Sequence, residues 1–282
     1  MVNDGNSGME KDELRQAVRE GYGKIAQGGG SCCGPAASCG CADMAQNVSQ
    51  QVGYSGDEIR SVPEGANLGL GCGNPVALAS LKEGETVLDL GSGGGFDCFL
   101  AADRVGESGR VIGVDMTPEM LARARENARK GDYRNVEFRL GEIEHLPVAD
   151  NSVDTVISNC VINLVPDKKD AFRETFRVLK SGGHLMISDI VLLAELPDFI
   201  KESIAAYVGC VSGAMLREEY LEAIRGAGFQ DVSIIKENVF PVELITNDPV
   251  ARNVVESLKI PPEKIRQVAD SIISVAVSAV KP

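Results

Sequence analysis

Long apolar runs and an excess of basic residues are both missing from this 282-residue chain. No stretch approaches the roughly 18 apolar residues of a membrane-spanning helix, and residues 1–10 lack the basic start and apolar run of a signal peptide. Lys and Arg number 28 against 41 Asp and Glu, a net charge of -13 that repels phosphate backbones and anionic membranes. We therefore expect a cytoplasmic protein with no nucleic-acid or membrane partner.

Histidine is scarce, whereas cysteine is common. The chain has two histidines, His145 and His184, and eight cysteines. A reducing cytoplasm disfavours a disulfide framework. With only two histidines, the chain has few ligands for a zinc site of the mixed Cys/His type. The cysteines therefore indicate thiol chemistry or the binding of a thiophilic metal.

Strand and helix patterns alternate from residue 86 onward. Short runs rich in β-branched residues are typical of buried strands, and segments of helical periodicity separate them. This alternation predicts an α/β fold with a doubly wound, seven-stranded and mostly parallel sheet. The predicted strands are 86–90, 111–114, 136–140, 153–158, 184–190, 232–235 and 271–280, and the predicted helices are 97–105, 118–130, 168–179 and 216–227.

The rest of the chain predicts additions to this sheet. Residues 10–27 have the spacing of an amphipathic helix, and a cysteine-rich loop follows it. The glycines and prolines of residues 46–75 exclude a long regular element, so we expect this segment to cover the core as a lid. Three prolines among helical patterns in residues 248–270 predict a small helical insertion.

A glycine-rich turn, residues 91–95, ends the first predicted strand and leads into a helix. Open α/β sheets bind nucleotides at such a turn, where glycines let a ligand approach the backbone. A dinucleotide fingerprint needs a small residue where Phe96 stands, so the turn suits a ligand that lacks a pyrophosphate. Asp115 follows the second strand, where a carboxylate accepts hydrogen bonds from ribose hydroxyls. Another kind of nucleotide-binding sheet, or a degenerate pseudoenzyme, stays open as an alternative.

The turn, Asp115 and the sequence Gly-Glu-Ile-Glu at 141–144 together resemble the class I S-adenosylmethionine-dependent methyltransferases. This resemblance implies a Rossmann-like fold with S-adenosylmethionine as the cofactor. It also implies that residues 141–143 bracket the adenine and that Asn159, which follows the fourth strand, lies near the methyl group. The cofactor-binding residues expected from the resemblance and the turn are Asp89, Gly91, Ser92, Gly93, Asp115, Met116, Gly141, Glu142, Ile143 and Asn159.

Three cysteines far apart in the sequence, Cys72, Cys160 and Cys210, are each expected beside the methyl end of the sheet. Thiolates are the ligands that a soft, thiophilic ion needs. An isolated cysteine is more often a small buried hydrophobe, which is the interpretation we give to Cys98. For Cys72 alone, spacing does not decide between the two interpretations.

Three segments, 62–75, 158–164 and 210–214, resemble the arsenite methyltransferases, and the similarity extends from about Tyr22 to Phe240. The resemblance implies that Cys72, Cys160 and Cys210 bind trivalent arsenic, presented as arsenite or as its thiol conjugates. Many eukaryotic members have an aromatic residue where this chain has Leu70 and an acid where it has Gly209. These differences leave the three ligands intact.

Four further cysteines lie close together near the N-terminus, at positions 32, 33, 39 and 41. The same resemblance implies that Cys32 and Cys33 act in substrate delivery and thiol–disulfide cycling. It also implies that a thiol reductant, either a glutathione-like thiol or thioredoxin, supports turnover. A four-cysteine zinc knuckle is the competing structural interpretation.

These observations predict an arsenite methyltransferase that serves arsenic detoxification. Its expected parts are the N-terminal helix, cysteine-rich loop and lid (1–75), the S-adenosylmethionine-binding core (76–194), and the arsenic-binding segment with the remaining sheet and helical insertion (195–282). A C- or O-methyltransferase of an organic substrate would share this fold without needing the cysteines. A noncatalytic arsenic-sequestering protein would need the thiols but not the glycine turn.

Overall fold

The computed structural model describes residues 10–28, 41–201, 203–239 and 269–282. Among these residues, no helix combines the length and the apolar character needed to cross a membrane. The expected helical insertion falls mainly on 240–268, outside the described residues.

A seven-stranded sheet forms the centre of the molecule, in the order β3-β2-β1-β4-β5-β7-β6. The pairings among β1 to β5 are parallel, whereas β7 runs antiparallel to both β5 and β6. The predicted doubly wound, mostly parallel sheet is thereby confirmed. Its strands are β1 Thr86–Leu90, β2 Arg110–Asp115, β3 Val136–Leu140, β4 Val153–Asn159, β5 Leu179–Leu192, β6 Gln230–Val239 and β7 Ile272–Val280.

Helices cover both faces of the sheet, and alternate residues of each strand face opposite clusters. On one face, Val87 packs with residues of α4, α5 and α6. On the other, Leu88 packs with residues of α7 and α10. The helices are α1 Lys11–Ala26, α2 Cys41–Val52, α3 Gly56–Ser61, α4 Pro75–Leu78, α5 Phe96–Val105, α6 Pro118–Lys130, α7 Lys168–Val178, α8 Asp198–Lys201, α9 Ile204–Val208 and α10 Arg217–Gly226.

The segment preceding the sheet has more regular structure than its composition predicted. The expectation that residues 46–75 hold no long regular element is wrong at their start, because α2 continues to Val52. Residues 46–52 contain neither glycine nor proline, and the helix stops at Gly53, whose φ is 114°. A capping box between Ser55 and Glu58 then starts α3.

A third apolar cluster lies at the carboxyl edge of the sheet and positions the candidate site. It joins Leu14 and Val18 of α1 to Tyr207 of α9 and to the cysteines at 72, 160 and 210. Helix α1 therefore packs across the region where the expected ligands meet.

Candidate active site

A cleft lies over the carboxyl ends of β1 to β4, where doubly wound sheets bind their ligands. The volume of the cleft is about 1100 Å³, including the space at its mouth that is open to solvent. The glycine turn after β1, the ends of β2 and β3, residues 66–71 and one side of α1 line it. Arg15, Val18 and Tyr22 are the α1 residues in this lining, and the sequence patterns did not assign them to a site.

The turn after β1 can be built only with glycine at its first position. Gly91 has φ of 68°, and a β-carbon there would lie 2.5 Å from the Val161 side chain. The Gly91 and Ser92 amides both donate to the Val114 carbonyl, at 2.7 and 3.0 Å. The Ser92 hydroxyl is buried without a hydrogen-bond partner among the described residues. The predicted turn is thus present and is tied to β2.

Asp115 at the end of β2 lines the cleft, as does Met116. One carboxylate oxygen of Asp115 accepts from the Gly93 amide at 2.9 Å, and the other from the Thr117 amide at 2.8 Å. Burial raises the pKa of Asp115, although these two amides oppose the rise. Each oxygen has a further lone pair for a ligand hydroxyl, so the carboxylate can serve both the turn and a ribose.

The segment after β3 contributes Gly141, Ile143 and Glu144 to the cleft lining. The Glu144 carboxylate accepts a hydrogen bond from the Arg15 guanidinium, in an ion pair at 3.0 Å. The carboxylate of Glu142 forms ion pairs with Arg15 and Arg19 on α1, and its predicted contact with the cofactor stays a prediction. The segment therefore has an apolar contact surface at Ile143 and an ionic attachment to α1.

Burial raises the pKa values of three carboxyl groups that line the cleft. Asp97 reaches about 6, mainly through burial and against hydrogen bonds from Tyr54 and Asn159. For Asp89, burial and the neighbouring Asp97 charge raise the pKa well above its usual range, and Asp115 is raised as described above. A cation would offset the cost of ionising these groups together. The lining therefore fits a positively charged ligand with hydroxyl groups, such as a sulfonium nucleoside.

Asn159 at the end of β4 connects this cleft to Cys72. Its side-chain oxygen accepts from the Cys72 amide at 2.9 Å. Its side-chain nitrogen donates to the Tyr54 hydroxyl, to the Gly73 carbonyl and to Asp97, at 2.8, 2.9 and 3.0 Å. The Cys72 carbonyl also accepts from Ser274 on β7 at 2.6 Å. The segment carrying Cys72 is thus held at both the amide and the carbonyl of this residue.

Cys72, Cys160 and Cys210 are buried in one cluster, although 88 and then 50 positions separate them in the sequence. The sulfur atoms of Cys72 and Cys160 lie within 4.8 Å of each other and of a carboxylate oxygen of Asp189. The Cys210 thiol donates to the Cys160 carbonyl at 3.2 Å. The structure therefore brings the three predicted arsenic ligands together.

The three thiols have raised pKa values. For Cys72 the main cause is burial. For Cys160 the hydrogen bond with Cys210 lowers the pKa. The hydrogen bond with Cys72 and burial outweigh this effect, so the pKa lies well above its usual range. The hydrogen bond with Cys160 and burial raise the pKa of Cys210 well above its usual range, and a contact with the Tyr22 hydroxyl at 3.8 Å opposes this rise. The thiols are therefore protonated near neutral pH, and an ion that binds them must displace their protons.

Asp189, on β5, is a buried acid beside these thiols that the motifs did not single out. It accepts from Asn163 at 2.9 Å and from Tyr220 at 3.1 Å, and burial raises its pKa to about 7. The sequence does contain a sign of this site, because Asp189 lies within the apolar run of residues 185–192. An acidic residue is seldom buried in such a strand without a partner.

The other cysteines divide into a core residue and an undescribed group. Cys98 is fully buried in the apolar cluster around α5, and its thiol donates to Asp89 at 3.1 Å. Cys32, Cys33 and Cys39 lie outside the described residues, and Cys41 begins α2. The proposed thiol cycling and the competing zinc knuckle both stay predictions.

Comparison with known protein families gives a match over half of the chain. The family described as "Methyltransferase domain" matches residues 81–228. This range contains the glycine turn, Asp115, the segment after β3 and two of the three clustered cysteines.

Individual relatives extend the similarity to the remaining segments. An arsenite methyltransferase of Halobacterium salinarum is 52% identical over 80% of this chain and 59% of the relative. The human arsenite methyltransferase is 32% identical over 82% of this chain and 62% of the relative. The chain thus spans about three fifths of the length of either relative.

A solved structure shows the same similarity in three dimensions. The crystal structure of an arsenic(III) S-adenosylmethionine methyltransferase from Chlamydomonas reinhardtii superimposes with a TM-score of 0.61 at 31% identity. The match covers 83% of this chain and 73% of that one.

Proposed function

This chain belongs to the arsenite methyltransferase family of the class I S-adenosylmethionine-dependent methyltransferases, and from that membership we propose that it methylates trivalent arsenic. The substrates are arsenite and methylarsenite, held by the thiolates of Cys72, Cys160 and Cys210. One observation carries the proposal: three buried cysteines from separate segments meet beside the cleft. Asn159 contacts Cys72 of this cluster and Asp97 of the cleft lining.

The donor set suits the substrate. Trivalent arsenic is a soft centre, and thiolates are soft ligands. Each Cys–As bond forms as the thiol proton passes to a hydroxide or thiolate that leaves the arsenic, so no charge builds up in the buried site. The binding of the ion itself overcomes the raised thiol pKa values.

S-adenosylmethionine supplies, when bound, a methyl group activated by its positively charged sulfonium. Gly91, Gly93 and Asp115 would hold the adenosyl part, and Ile143 would contact the adenine. The raised pKa values of Asp89 and Asp97 would fall beside the sulfonium, which lets these carboxyl groups ionise and stabilise the cation.

The main contribution of the protein to the methyl transfer is positioning. An arsenic lone pair carries no proton, so its methylation would release none from the attacking atom and no general base would be required. Asn159 fixes the distance between the cleft and the segment of Cys72 through its four hydrogen bonds. Such fixed proximity replaces an unfavourable encounter between two dissolved reactants.

Turnover needs two electrons for each methyl group, because transfer of a methyl cation to the lone pair oxidises the arsenic. Two thiols supply these electrons and leave as a disulfide, which returns the arsenic to its trivalent state. We propose a glutathione-like thiol or thioredoxin as the reductant, with Cys32 and Cys33 in substrate delivery and thiol cycling. Arsenic detoxification in the cytoplasm is the corresponding physiological proposal.

The proposal is tested by incubating the protein with S-adenosylmethionine, arsenite and a thiol, followed by speciation of the arsenic. Methylated arsenicals and S-adenosylhomocysteine should accumulate together. Binding of S-adenosylmethionine without any methylated arsenical would favour a methyltransferase of another substrate. Arsenite binding without S-adenosylmethionine binding would favour a sequestering protein.

A further inference from the structure

An acidic side chain that has no part in the proposed methyl transfer lies beside two of the clustered thiols. Among the described residues, one group of Cys, His, Asp and Glu side chains is compact enough to hold a metal ion, and its members are Cys72, Cys160 and Asp189. The two sulfur atoms and one carboxylate oxygen all lie within 4.8 Å of one another, and all three residues are buried. Two soft donors and one hard donor therefore meet at one point of the core.

Hydrogen bonds from three residues fix the carboxylate of Asp189. Its oxygen Oδ1 accepts from the Asn163 side chain and from the Ile190 backbone amide, both at 2.9 Å. Its oxygen Oδ2 accepts from the Tyr220 hydroxyl at 3.1 Å. Hydrogen bonds of this kind orient the carboxylate ligands of metal sites, so Asp189 is already held as a metal ligand needs to be.

The donor set suits a divalent cation better than it suits trivalent arsenic. Arsenic takes three thiolates and keeps its lone pair in the fourth direction, so it has no use for a carboxylate. Zn²⁺ has no such lone pair, prefers four ligands in a tetrahedron, and accepts cysteine sulfur and aspartate oxygen together. Donors around Zn²⁺ lie roughly 3.5 to 4 Å apart, so the present ligand atoms need to approach one another by no more than about 1.3 Å.

Neighbouring residues complete the site and give access to it. The Cys210 thiol donates to the Cys160 carbonyl at 3.2 Å, which places a third sulfur beside Cys160 as the fourth donor. Cys160 also lines the cleft, so an ion that enters the cleft reaches the donors without crossing the core. Each thiol releases its proton to solvent as its bond to the metal forms.

A cation beside Asp189 offsets the negative charge of such a site. Burial lowers the pKa of Lys168 to about 8, and the attraction to Asp189 opposes this fall, so the ammonium group keeps its charge near neutral pH. Thiolates and a carboxylate around one divalent ion carry a net negative charge, which is costly to bury without a partner. Lys168 supplies that partner.

We propose that Cys72, Cys160 and Asp189, with Cys210 as the fourth donor, bind Zn²⁺ and that the bound ion excludes arsenic from the thiols. The Zn²⁺ site stands apart from the proposed function, whereas the exclusion of arsenic rests on it. Asp189 is the donor that only the divalent ion uses. This residue therefore separates the two ions, although they share the cysteines.

The test measures Zn²⁺ binding by calorimetry in full-length protein whose four N-terminal cysteines are replaced by serine, so that they cannot hold the ion. Asp189→Asn keeps the size of the side chain but removes the charged ligand. Cys160→Ser removes a donor that both ions need, and Cys98→Ser is the matched control, a buried thiol outside the cluster. Arsenite binding to each protein is measured separately by equilibrium dialysis in the presence of a zinc chelator.

Asp189→Asn should bind Zn²⁺ at least about tenfold more weakly, since even an outer partner of a metal ligand contributes that much. Its arsenite affinity should stay within about twofold of the parent protein, which also shows that the cluster is folded. Cys160→Ser should lose both ions and Cys98→Ser neither. Zn²⁺ added to the parent protein should prevent arsenite binding, and this effect should weaken in Asp189→Asn.

X-ray absorption of the Zn²⁺-loaded parent protein identifies the ligands without any change at Asp189. It should show sulfur at about 2.3 Å and one oxygen at about 2.0 Å. An all-sulfur shell would overturn the proposal, as would equal weakening of Zn²⁺ and arsenite in Asp189→Asn or the absence of Zn²⁺ binding by the parent protein. Zn²⁺ binding by a protein that binds no arsenite would instead contradict the proposed function and leave the Zn²⁺ site in place.

Discussion

Cys160 and Cys210 hold their thiols on backbone of left-handed conformation, with φ of 60° and 65°. Non-glycine residues adopt this conformation at a cost of about 1 kcal/mol or more, and such residues concentrate at functional sites. Hydrogen bonds from the Cys160 amide to Ser188 and from the Cys210 amide to Tyr207 maintain the two conformations. These two conformations occur where the thiols of separate segments join the buried cluster of Cys72.

Serine at Cys160 or Cys210 should abolish arsenite binding and every methylation step, because a hydroxyl does not replace a thiolate on soft arsenic and even methylarsenite needs two thiolates. Equilibrium dialysis of arsenite and product speciation measure the two effects. Cys98→Ser is the matched control, since Cys98 is equally buried but lies in the core around α5. Retained arsenite methylation in Cys160→Ser would contradict the assignment of the ligands.

The raised pKa of Asp189 makes the free energy of unfolding fall as the pH rises. The folded state keeps this carboxyl protonated up to about pH 7, whereas the unfolded chain releases the proton near the ordinary value of 3.8. The folded state therefore binds more protons between about pH 4 and pH 7, and the contribution of Asp189 to stability falls as the pH rises through this window.

Asp189→Asn should remove that dependence, because asparagine resembles the protonated acid. The free energy of unfolding of wild type should fall relative to the variant by up to about 1.4 kcal/mol per pH unit from pH 4 to pH 7, and the difference should level off above pH 7. Urea unfolding of both proteins at several pH values measures this difference. Parallel pH profiles for the two proteins would show that Asp189 titrates normally.

At the scale of elements, α1 is attached to the cleft by charge as well as by apolar contact. Arg15 pairs with Glu144, whose side chain is only 5% exposed, and Lys11 pairs with Asp167 at 3.0 Å. Leu14 and Val18 are buried on the same side of the helix. The i, i+4 spacing of these two residues is the amphipathic pattern that predicted the helix. The same pattern did not predict which residues form ion pairs with it.

Arg15→Ala should weaken S-adenosylmethionine binding several-fold, because α1 then covers the cleft less firmly and Glu144 is left buried without its partner. Calorimetric titration measures the change, and stopped-flow release of the ligand should show that it lies mainly in the dissociation rate. The next residue of the helix, Gln16, is exposed, and Gln16→Ala provides the control. An unaltered affinity in Arg15→Ala would mean that α1 contributes no closure.

At the scale of the whole molecule, the thiol cluster joins segments that are distant in the chain. Cys72 precedes the sheet, Cys160 follows β4, and Cys210 follows α9. The Cys72 carbonyl also contacts β7, 202 positions further along. A ligand that binds all three thiols therefore cross-links these segments in the folded chain. It binds the unfolded chain much more weakly, because the three thiols are not held together there.

Arsenite should consequently stabilise the whole protein. At a concentration 100 times its Kd, binding contributes about 2.7 kcal/mol, which corresponds to a rise in Tm of roughly 5 to 10 °C for a chain of this size. Thermal unfolding followed by circular dichroism in the presence of a reducing agent measures the rise. Cys160→Ser should show little shift with arsenite but keep its shift with S-adenosylmethionine, so an arsenite shift of wild-type size in this variant would exclude the cluster as the binding site.

The sequence by itself determined the sheet, the glycine turn and the identity of the clustered cysteines. These features are local: strand and helix periodicities depend on neighbouring residues, and the turn requires glycine wherever it occurs, as at Gly91. The resemblance of short segments around Cys72, Cys160 and Cys210 supplied the choice of ligands. The glycines of residues 53–75 obscure the helical pattern of residues 46–52, which contain none, so part of α2 was not predicted.

Only the tertiary structure decided how these parts meet. The burial of Asp189 beside two thiols and the ion pair of Glu142 with α1 both depend on contacts between residues far apart in the chain. No local pattern encodes such contacts, because the free energy that fixes them comes from packing and desolvation in the folded molecule. The ligand types were therefore readable from the sequence, whereas their protonation, spacing and partners were not.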